Sequence, residues 1–458
     1  MRMAARRLRK LLREPFWLVL IGCLIFGLIL GTLVGRETSD EMTEAVFGMA
    51  WRKTPEETRG FLMTLLGLQL TVMTIVVMLD ASMIQSAANQ YSPRLVPYYL
   101  KKVPFRKALP MFALSTTYIL AAVREVGLGA DQAARPRPVM SGAVILVLVA
   151  FLLLTVTMIR TYRFLRVERV LALVRAATFD AIGRREAKMR RLTLDPAGTL
   201  ALSADASALT APASGYLVDV DVRRIERIAR RADVRVRISR AVGDYFDAGE
   251  VVGWAGRDAG GPVDARAARR LTAALSMAPV READLDPAYG IRILADVAAR
   301  ALSDSYNDSY TARQALQQIR SILRHLAREP LGDWNVTDRD GRVRVSVMAT
   351  QLREYISLSV EAPLRFGAGD PELLAGILEI ALEVGLVAPD AEGRATAHQL
   401  INRVLEDSME YGDLRNGRLK RLLAEADLVR ASLEDDAPRP DRHARSDWAL
   451  PSGDGPAR

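Results

Sequence analysis

Apolar and polar positions divide this chain unevenly. Four long apolar runs, Phe16 to Val34, Phe61 to Leu79, Leu109 to Val126 and Val139 to Ile159, lie before residue 160, and none follows it. A hydrocarbon core of about 30 Å takes roughly 20 helical residues at about 1.5 Å each, so each run predicts a transmembrane helix. The second predicts more than a span. Beyond Asp80, residues Ala81 to Gln90 are small or polar but helix-compatible, and Ser92-Pro93 is the first hard stop, so the pattern predicts one helix of about 30 residues.

Within that helix Thr64, Thr71, Met78 and Gln85 recur every seven residues, as do Gly67, Thr74, Ala81 and Ala88. Small and hydroxyl side chains thus share a stripe, which predicts close packing on another helix. Gln69 and Asp80, three turns apart on a neighbouring face, leave a water-lined path as the alternative. In the first run Gly27, Gly31 and Gly35 form two overlapping GxxxG spacings, a surface for close helix contact within the chain or between copies.

After the spans the period changes. Residues 161–211 read as a basic helix and a small-residue linker, and residues 212–260 as a small β module of short Val-rich runs and Gly-Asp turns interrupted by a helical insert, Arg223 to Arg231. Residues 261–430 are mainly helical. Ile291, Leu294, Ala298, Ala301 and Leu302 form one apolar face, and Ala315, Ile319, Ile322 and Leu326 another. Further helices are predicted near residues 351–359, 371–386, 395–409 and 414–426, with a strand at 343–348. Residues 431–458 have the composition of a disordered tail. The predicted fold class is a membrane α-helical bundle of four transmembrane helices plus a cytosolic α/β region holding a small barrel-sandwich-like β module and amphipathic helices.

Charge gives an orientation. Arg2, Arg6, Arg7, Arg9, Lys10 and Arg13 precede the first run, Arg94, Lys101, Lys102, Arg106 and Lys107 follow the second, and Arg160, Arg163, Arg166 and Arg169 follow the fourth. The other two loops are mixed in charge. The positive-inside rule then places both termini in the cytoplasm of a multi-pass protein of a bacterial inner membrane. The formal net charge is +9, carried by 56 arginines and seven lysines. Acids are interleaved with the arginines of the soluble half, and no aromatic-basic motif occurs, so no nucleic-acid partner is expected.

Candidate chemistry is sparse. The one cysteine, Cys23, excludes an intramolecular disulfide and a thiolate cluster. His325, His398 and His443 are scattered, with no HExxH and no paired carboxylate in sequence, so no metal and no cofactor is expected. No catalytic motif is present, which points away from an enzyme. The hairpin-like Pro212, Gly215, Tyr216 and Gly243-Asp244 to Ala248-Gly249 segments are similar to the halves of biotinyl-type carriers, but no lysine lies between Lys188 and Lys420, which excludes covalent carriage.

Gln90-Tyr91-Ser92-Pro93-Arg94-Leu95 after the second run, and Asp286-Pro287-Ala288-Tyr289-Gly290-Ile291-Arg292 leading to Ala301-Leu302-Ser303, Asn307-Asp308 and Thr311-Ala312, carry a resemblance. Over about residues 15–430 the chain resembles the bacterial membrane-protein family called domain of unknown function 2254, with Asp304 and Ser309 where that family usually has proline. The resemblance implies the order of parts and no established activity. Candidate positions are therefore Gln69, Thr71, Thr74, Asp80, Ser92, Pro93, Arg94, Asn307 and Asp308. Asn307 and Asp308 are expected to cap a helix, and Arg94 to meet lipid phosphate or helix carboxyl ends. The expected role is an oligomeric envelope or channel-like component, with a membrane-anchored sensor or scaffold as the alternative. Expected partners are the lipid bilayer, further copies of the chain and a cytosolic protein.

Overall fold

A computed structural model describes residues 15–36, 55–96, 108–125, 137–164, 166–190, 192–193, 200–257, 263–281, 286–329, 331–338, 340–411 and 416–434. The amino-terminal basic flank, the Lys101 to Lys107 loop and the tail beyond 434 lie outside them. The chain forms two compact units, residues 1–176 and 177–458.

The first unit is helical. It contains α1 (Pro15–Arg36), α2 (Pro55–Gln90), α3 (Leu109–Glu125), α4 (Arg137–Phe164) and the start of α5 (Val167–Met189), in which the unit boundary falls. Helix α2 starts six residues earlier than the apolar pattern suggests, because Pro55 with Glu56 and Glu57 makes a favourable first turn. At 36 residues it is about 54 Å long. Tyr91 N donates to Ala87 O (2.9 Å), and the chain then enters a 3-10 turn at Pro93–Leu95.

Two helices among the described residues, α2 over Glu56–Gln90 and α4 over Met140–Thr161, are long and apolar enough to cross a membrane, against the four expected. For α3 the difference has a physical reason. Helix α3 has 17 residues, about 26 Å, and carries Ser115, Thr116, Thr117 and Tyr118 in its middle and Arg124-Glu125 at its end. In α1, a helix of 22 residues, the apolar stretch among the residues whose side chains are described is Ile21–Leu30. Helix α3 is the centre of the bundle: Tyr118, Ile119, Ala122 and Val123 pack with Leu62 of α2 and Ala143 and Val147 of α4, and Phe112 packs with Val76, Ala150 and Leu154. Leu28 and Ile29 of α1, Leu68 and Ile75 of α2 and Leu148 and Leu152 of α4 stay exposed, as lipid-facing side chains do.

Small residues set the helix approaches. A Cβ on Gly27 would fall 2.3 Å from Thr117 Oγ1 and 2.5 Å from Leu114 O, so α1 touches the backbone of α3 there. A Cβ on Gly142 would fall 2.4 Å from the Tyr118 hydroxyl. Gly27 is thus used within the chain; the surroundings of Gly31 and Gly35 lie outside the description.

The second unit is α/β. Strands β1 (Ser207–Thr210), β5 (Val251–Gly256), β3 (Arg235–Ile238), β8 (Val343–Val347) and β7 (Trp334–Thr337) form one sheet in the order β1-β5-β3-β8-β7. The β3–β8 pair is parallel, Val236 opposite Val345, and the other pairs are antiparallel. A second sheet has the order β4-β2-β6, from Tyr245–Phe246, Gly215–Val220 and Leu275–Ala278. Helices α6 (Val222–Ala232) and α7 (Ala265–Thr272) complete a core of Leu209, Leu217, Ile225, Val236, Phe246, Val252, Leu271 and Val345.

A β module closed within residues 212–260 is therefore not what forms. The open edge of β3 is paired by a strand about 100 residues later, and residues 207–210 of the expected linker supply β1. The remaining helices are α8 (Pro287–Ala301), α9 (Ser309–Leu326), α10 (Leu352–Gly367), α11 (Pro371–Val387), α12 (Ala391–Tyr411) and α13 (Asn416–Glu434). They bury the faces foreseen, including Ile291, Leu294 and Ala298 on α8 and Ala315, Ile319 and Ile322 on α9.

Candidate functional site

The second unit holds a cavity of about 390 Å³. Its walls are the end of α5 (Ala181, Arg184, Arg185, Lys188), strand β2 (Val218, Asp219, Val220), Val242, the start of α8 (Asp286, Pro287), and Trp334, Val347 to Thr350 and Tyr355. Most of that wall is apolar, with a few polar groups converging on one side, the usual make-up of a small-molecule site.

The charges sort into paired and unpaired. Lys188 Nζ donates to Asp219 Oδ1 and to Val220 O (3.0 Å). Asp286 is buried and accepts from Ala288 N (2.9 Å) and Tyr289 N (3.3 Å), which caps α8, while Arg281 Nε donates to its other oxygen at 2.9 Å. Arg185 differs. Its Nη1 donates to the Tyr355 hydroxyl at 3.2 Å and its guanidinium lies 5.5 Å from the centre of the Trp334 ring, but among the described residues no carboxylate pairs with it. Arg185 Nη2 and Trp334 Nε1 are buried donors without an acceptor among the described residues. Burial pushes the Tyr355 phenol up from its ordinary range, so it stays a neutral donor and acceptor. An unmet guanidinium donor beside an unmet indole N–H, in a concave apolar site, is suited to accept an anion.

The Asp286 to Gly290 motif builds one wall of this cavity. Asp286 is the cap, Pro287 occupies the first helical position, and Gly290 lies where a Cβ would fall 2.0 Å from Thr178 Oγ1 on α5. Beneath the Arg281–Asp286 pair is Gly243, with φ +105.

The other sequence candidates are not at the cavity. Asp308 caps α9 by accepting from Thr311 N (3.0 Å), and Asn307 has φ +46, a conformation asparagine tolerates better than most residues. Ser309 donates to Asp370, the cap of α11. In the first unit Ser92 accepts from Arg94 N (3.3 Å) and caps the 3-10 turn opened by Pro93, with Leu95 buried beneath and Arg94 exposed. Gln69 is fully buried; its Nε2 donates to Phe112 O (3.2 Å), Ser115 Oγ (2.5 Å) and Thr116 Oγ1 (3.0 Å), all on α3. Asp80 is also buried, and its Oδ1 has no partner among the described residues.

Within the chain the threonine stripe does not pack on another helix. The packing face of α2 runs through Leu62, Gln69, Val76 and Ala87, whereas Thr64, Thr71, Thr74 and Met78 are exposed, and a Cβ on Gly67 would meet nothing. The threonine hydroxyls donate to Gly60 O, Gly67 O and Leu70 O one turn back (2.8, 2.8 and 2.9 Å), so they need no partner helix.

Sequence reading gave no prominence to Arg185, Trp334 and Tyr355. Their only signal was indirect: a tryptophan at the start of a short strand and an arginine on a helix otherwise rich in arginine.

The family model for the predicted membrane protein family DUF2254 matches residues 13–382. The chain belongs to that family. The match ends inside α11, short of the residue 430 that the motifs suggested. Among curated relatives, Uncharacterized protein Mb1321c of Mycobacterium bovis and Uncharacterized protein Rv1290c of Mycobacterium tuberculosis are each 26% identical over 373 residues, covering 80% of this chain and 71% of theirs. No solved structure matches.

Proposed function

We propose that this membrane protein is a membrane-anchored sensor whose α/β unit, on the cytoplasmic side of a bacterial inner membrane, binds a small anionic ligand in the cavity beside α5. The observation that carries the reading is the pair of buried, unmet donors, Arg185 Nη2 and Trp334 Nε1, in the wall of a 390 Å³ cavity. That volume is near the lower end for ligand pockets, so the ligand is metabolite-sized, with one carboxylate or phosphate and an apolar body for Val218, Val242 and Met348. The protein is not an enzyme in this reading: among the described residues the lining acids Asp219 and Asp286 are taken up by Lys188 and Arg281.

The anchor is proposed to cross the membrane four times, with α1 and α3 accompanying α2 and α4, and with both termini cytoplasmic as the flanking arginines and lysines require. Titrating purified full-length protein with inorganic phosphate, benzoate and phenyl phosphate tests the ligand class. Phenyl phosphate or benzoate should raise the melting temperature and change tryptophan fluorescence, and Arg185→Gln should abolish both. Identical responses in Arg185→Gln would refute the site.

A second reading, a homo-oligomeric channel-like component, is favoured by one observation, the outward face of α2. Exposed Thr64, Thr71 and Thr74 beside open Gly67 would let copies of the chain meet there around a shared axis. Conductance in a reconstituted bilayer, abolished by bulky replacements on that face, separates it from the sensor reading.

A further inference from the structure

The face of α5 that carries Glu186, next to the cavity residue Arg185, meets the last turn of α9. Glu186 Oε1 lies 2.8 Å from His325 Nε2. Helix α9 ends at Leu326, and Glu329 N donates to Leu326 O (3.1 Å) in the turn that follows, which brings the Glu329 side chain round to His325, four residues before it. The carboxylate and imidazole ligand atoms of Glu186, His325 and Glu329 all lie within 4.8 Å of one another. Phe179, two turns back on α5, meets the imidazole edge-on with ring centres 5.5 Å apart, which fixes the ring plane.

A glutamate–histidine pair brings two of these groups together. A second carboxylate held that close to Glu186 is repelled unless a cation, an imidazolium or a metal ion, lies between them. Arg190 reaches only the far oxygen of Glu186, at 3.5 Å. One imidazole and two carboxylates are a normal ligand set for a divalent first-row transition ion. With metal–ligand bonds of about 2.0–2.2 Å, ligand atoms around one ion are roughly 3–4 Å apart, so the observed spacing needs only side-chain adjustment.

We propose that Glu186, His325 and Glu329 bind a divalent transition metal ion, Zn²⁺ being the best matched, as three protein ligands with a coordination position left to solvent. The side chains of Glu186 and His325 are 18% and 40% exposed, so an ion can enter from water and keep a water ligand. This site is independent of the anion cavity: it uses the opposite neighbour on α5 and none of the cavity's donors.

The test is equilibrium dialysis of the tag-free full-length protein in detergent against micromolar Zn²⁺, with bound metal measured directly. One Zn²⁺ per chain is expected. Glu329→Gln and His325→Gln should each weaken binding at least about tenfold, since even loss of an outer partner of a metal site costs 10–100-fold. Glu329→Gln guards against a variant that merely misfolds, because in chelator it relieves a repulsion and should melt no lower than the parent. Zn²⁺ should then raise the melting temperature of the parent and not that of Glu329→Gln. No stoichiometric Zn²⁺ on the parent, or equal Zn²⁺ affinity in parent and Glu329→Gln, would overturn the proposal and leave a proton-bridged pair.

Discussion

Gly243 and Gly249 both have positive φ, +105 and +89, in turns flanking the same short strand, yet their surroundings differ. A Cβ on Gly249 would meet nothing within 4 Å. A Cβ on Gly243 would fall 2.6 Å from Arg281 Nη2 and 2.6 Å from Asp286 Oδ2, so any side chain there displaces the pair that caps α8. Alanine at Gly249 therefore carries only the conformational term, about 1–2 kcal/mol for an L-residue in the left-handed region. Alanine at Gly243 carries the same term, the loss of the Asp286 cap at about 1 kcal/mol, and part of the about 3–5 kcal/mol that separating a buried ion pair costs. The expected difference between the two variants is at least about 2 kcal/mol.

Hydrogen exchange on the full-length protein reads this locally, since the amides of Ala288 and Tyr289 are the groups that Asp286 holds. In Gly243→Ala they should lose protection by about 30-fold or more relative to Gly249→Ala, the equivalent of about 2 kcal/mol. Equal exchange in the two variants would show that the Arg281–Asp286 pair moves aside freely and contributes nothing to the start of α8.

Four further outcomes are expected. Gln69→Leu should lower the melting temperature by losing the two N–H groups that its Nε2 shares among three acceptors on α3, at about 0.6 kcal/mol per interhelical bond in lipid, whereas Thr71→Leu should leave the isolated chain unchanged; the reverse order in detergent melts would refute the assignment of faces on α2. Gly290→Ala should destabilise by about 1–3 kcal/mol through overpacking against Thr178, and Thr178→Ala should recover most of it in a double-mutant cycle. The Arg344 hydrogen bond, foremost, holds the Asp338 carboxyl below its ordinary value, so its contribution is present above the unfolded carboxyl range and is lost as pH falls through the lower folded value; Asp338→Asn should flatten that acid limb of a urea-stability profile, and an unchanged limb would exclude the pair as its cause. A reporter fused after Thr54 should be periplasmic and one after Lys102 cytoplasmic, and a cytoplasmic signal at Thr54 would invert the proposed topology.

What the sequence made legible follows the range of the interactions. Helices α8 and α9 and the stop after Gln90 rest on local periodicity, caps and prolines, and the chain folds there as those signals require. The glycine turns at Gly243 and Gly249 were legible for the same reason. The β3–β8 pairing was not, because Val236 meets Val345 across a stretch that contains three helices, and nothing local to either strand names the other. The same distance hid both sites. His325 read alone is one histidine on an amphipathic helix, and only the packing of α5 on α9 sets Glu186 beside it, 139 residues away in sequence. The threonine stripe is a different case. A heptad of small hydroxyl residues marks a helix face that is compatible with contact, but the same hydroxyls satisfy themselves on the preceding turn, and the face that actually packs is marked by Leu62, Gln69 and Val76. In a membrane helix, then, a buried amide that cannot bond to its own backbone locates the packing face more reliably than threonines that can. For this chain that criterion selects Gln69, whose three acceptors all lie on α3.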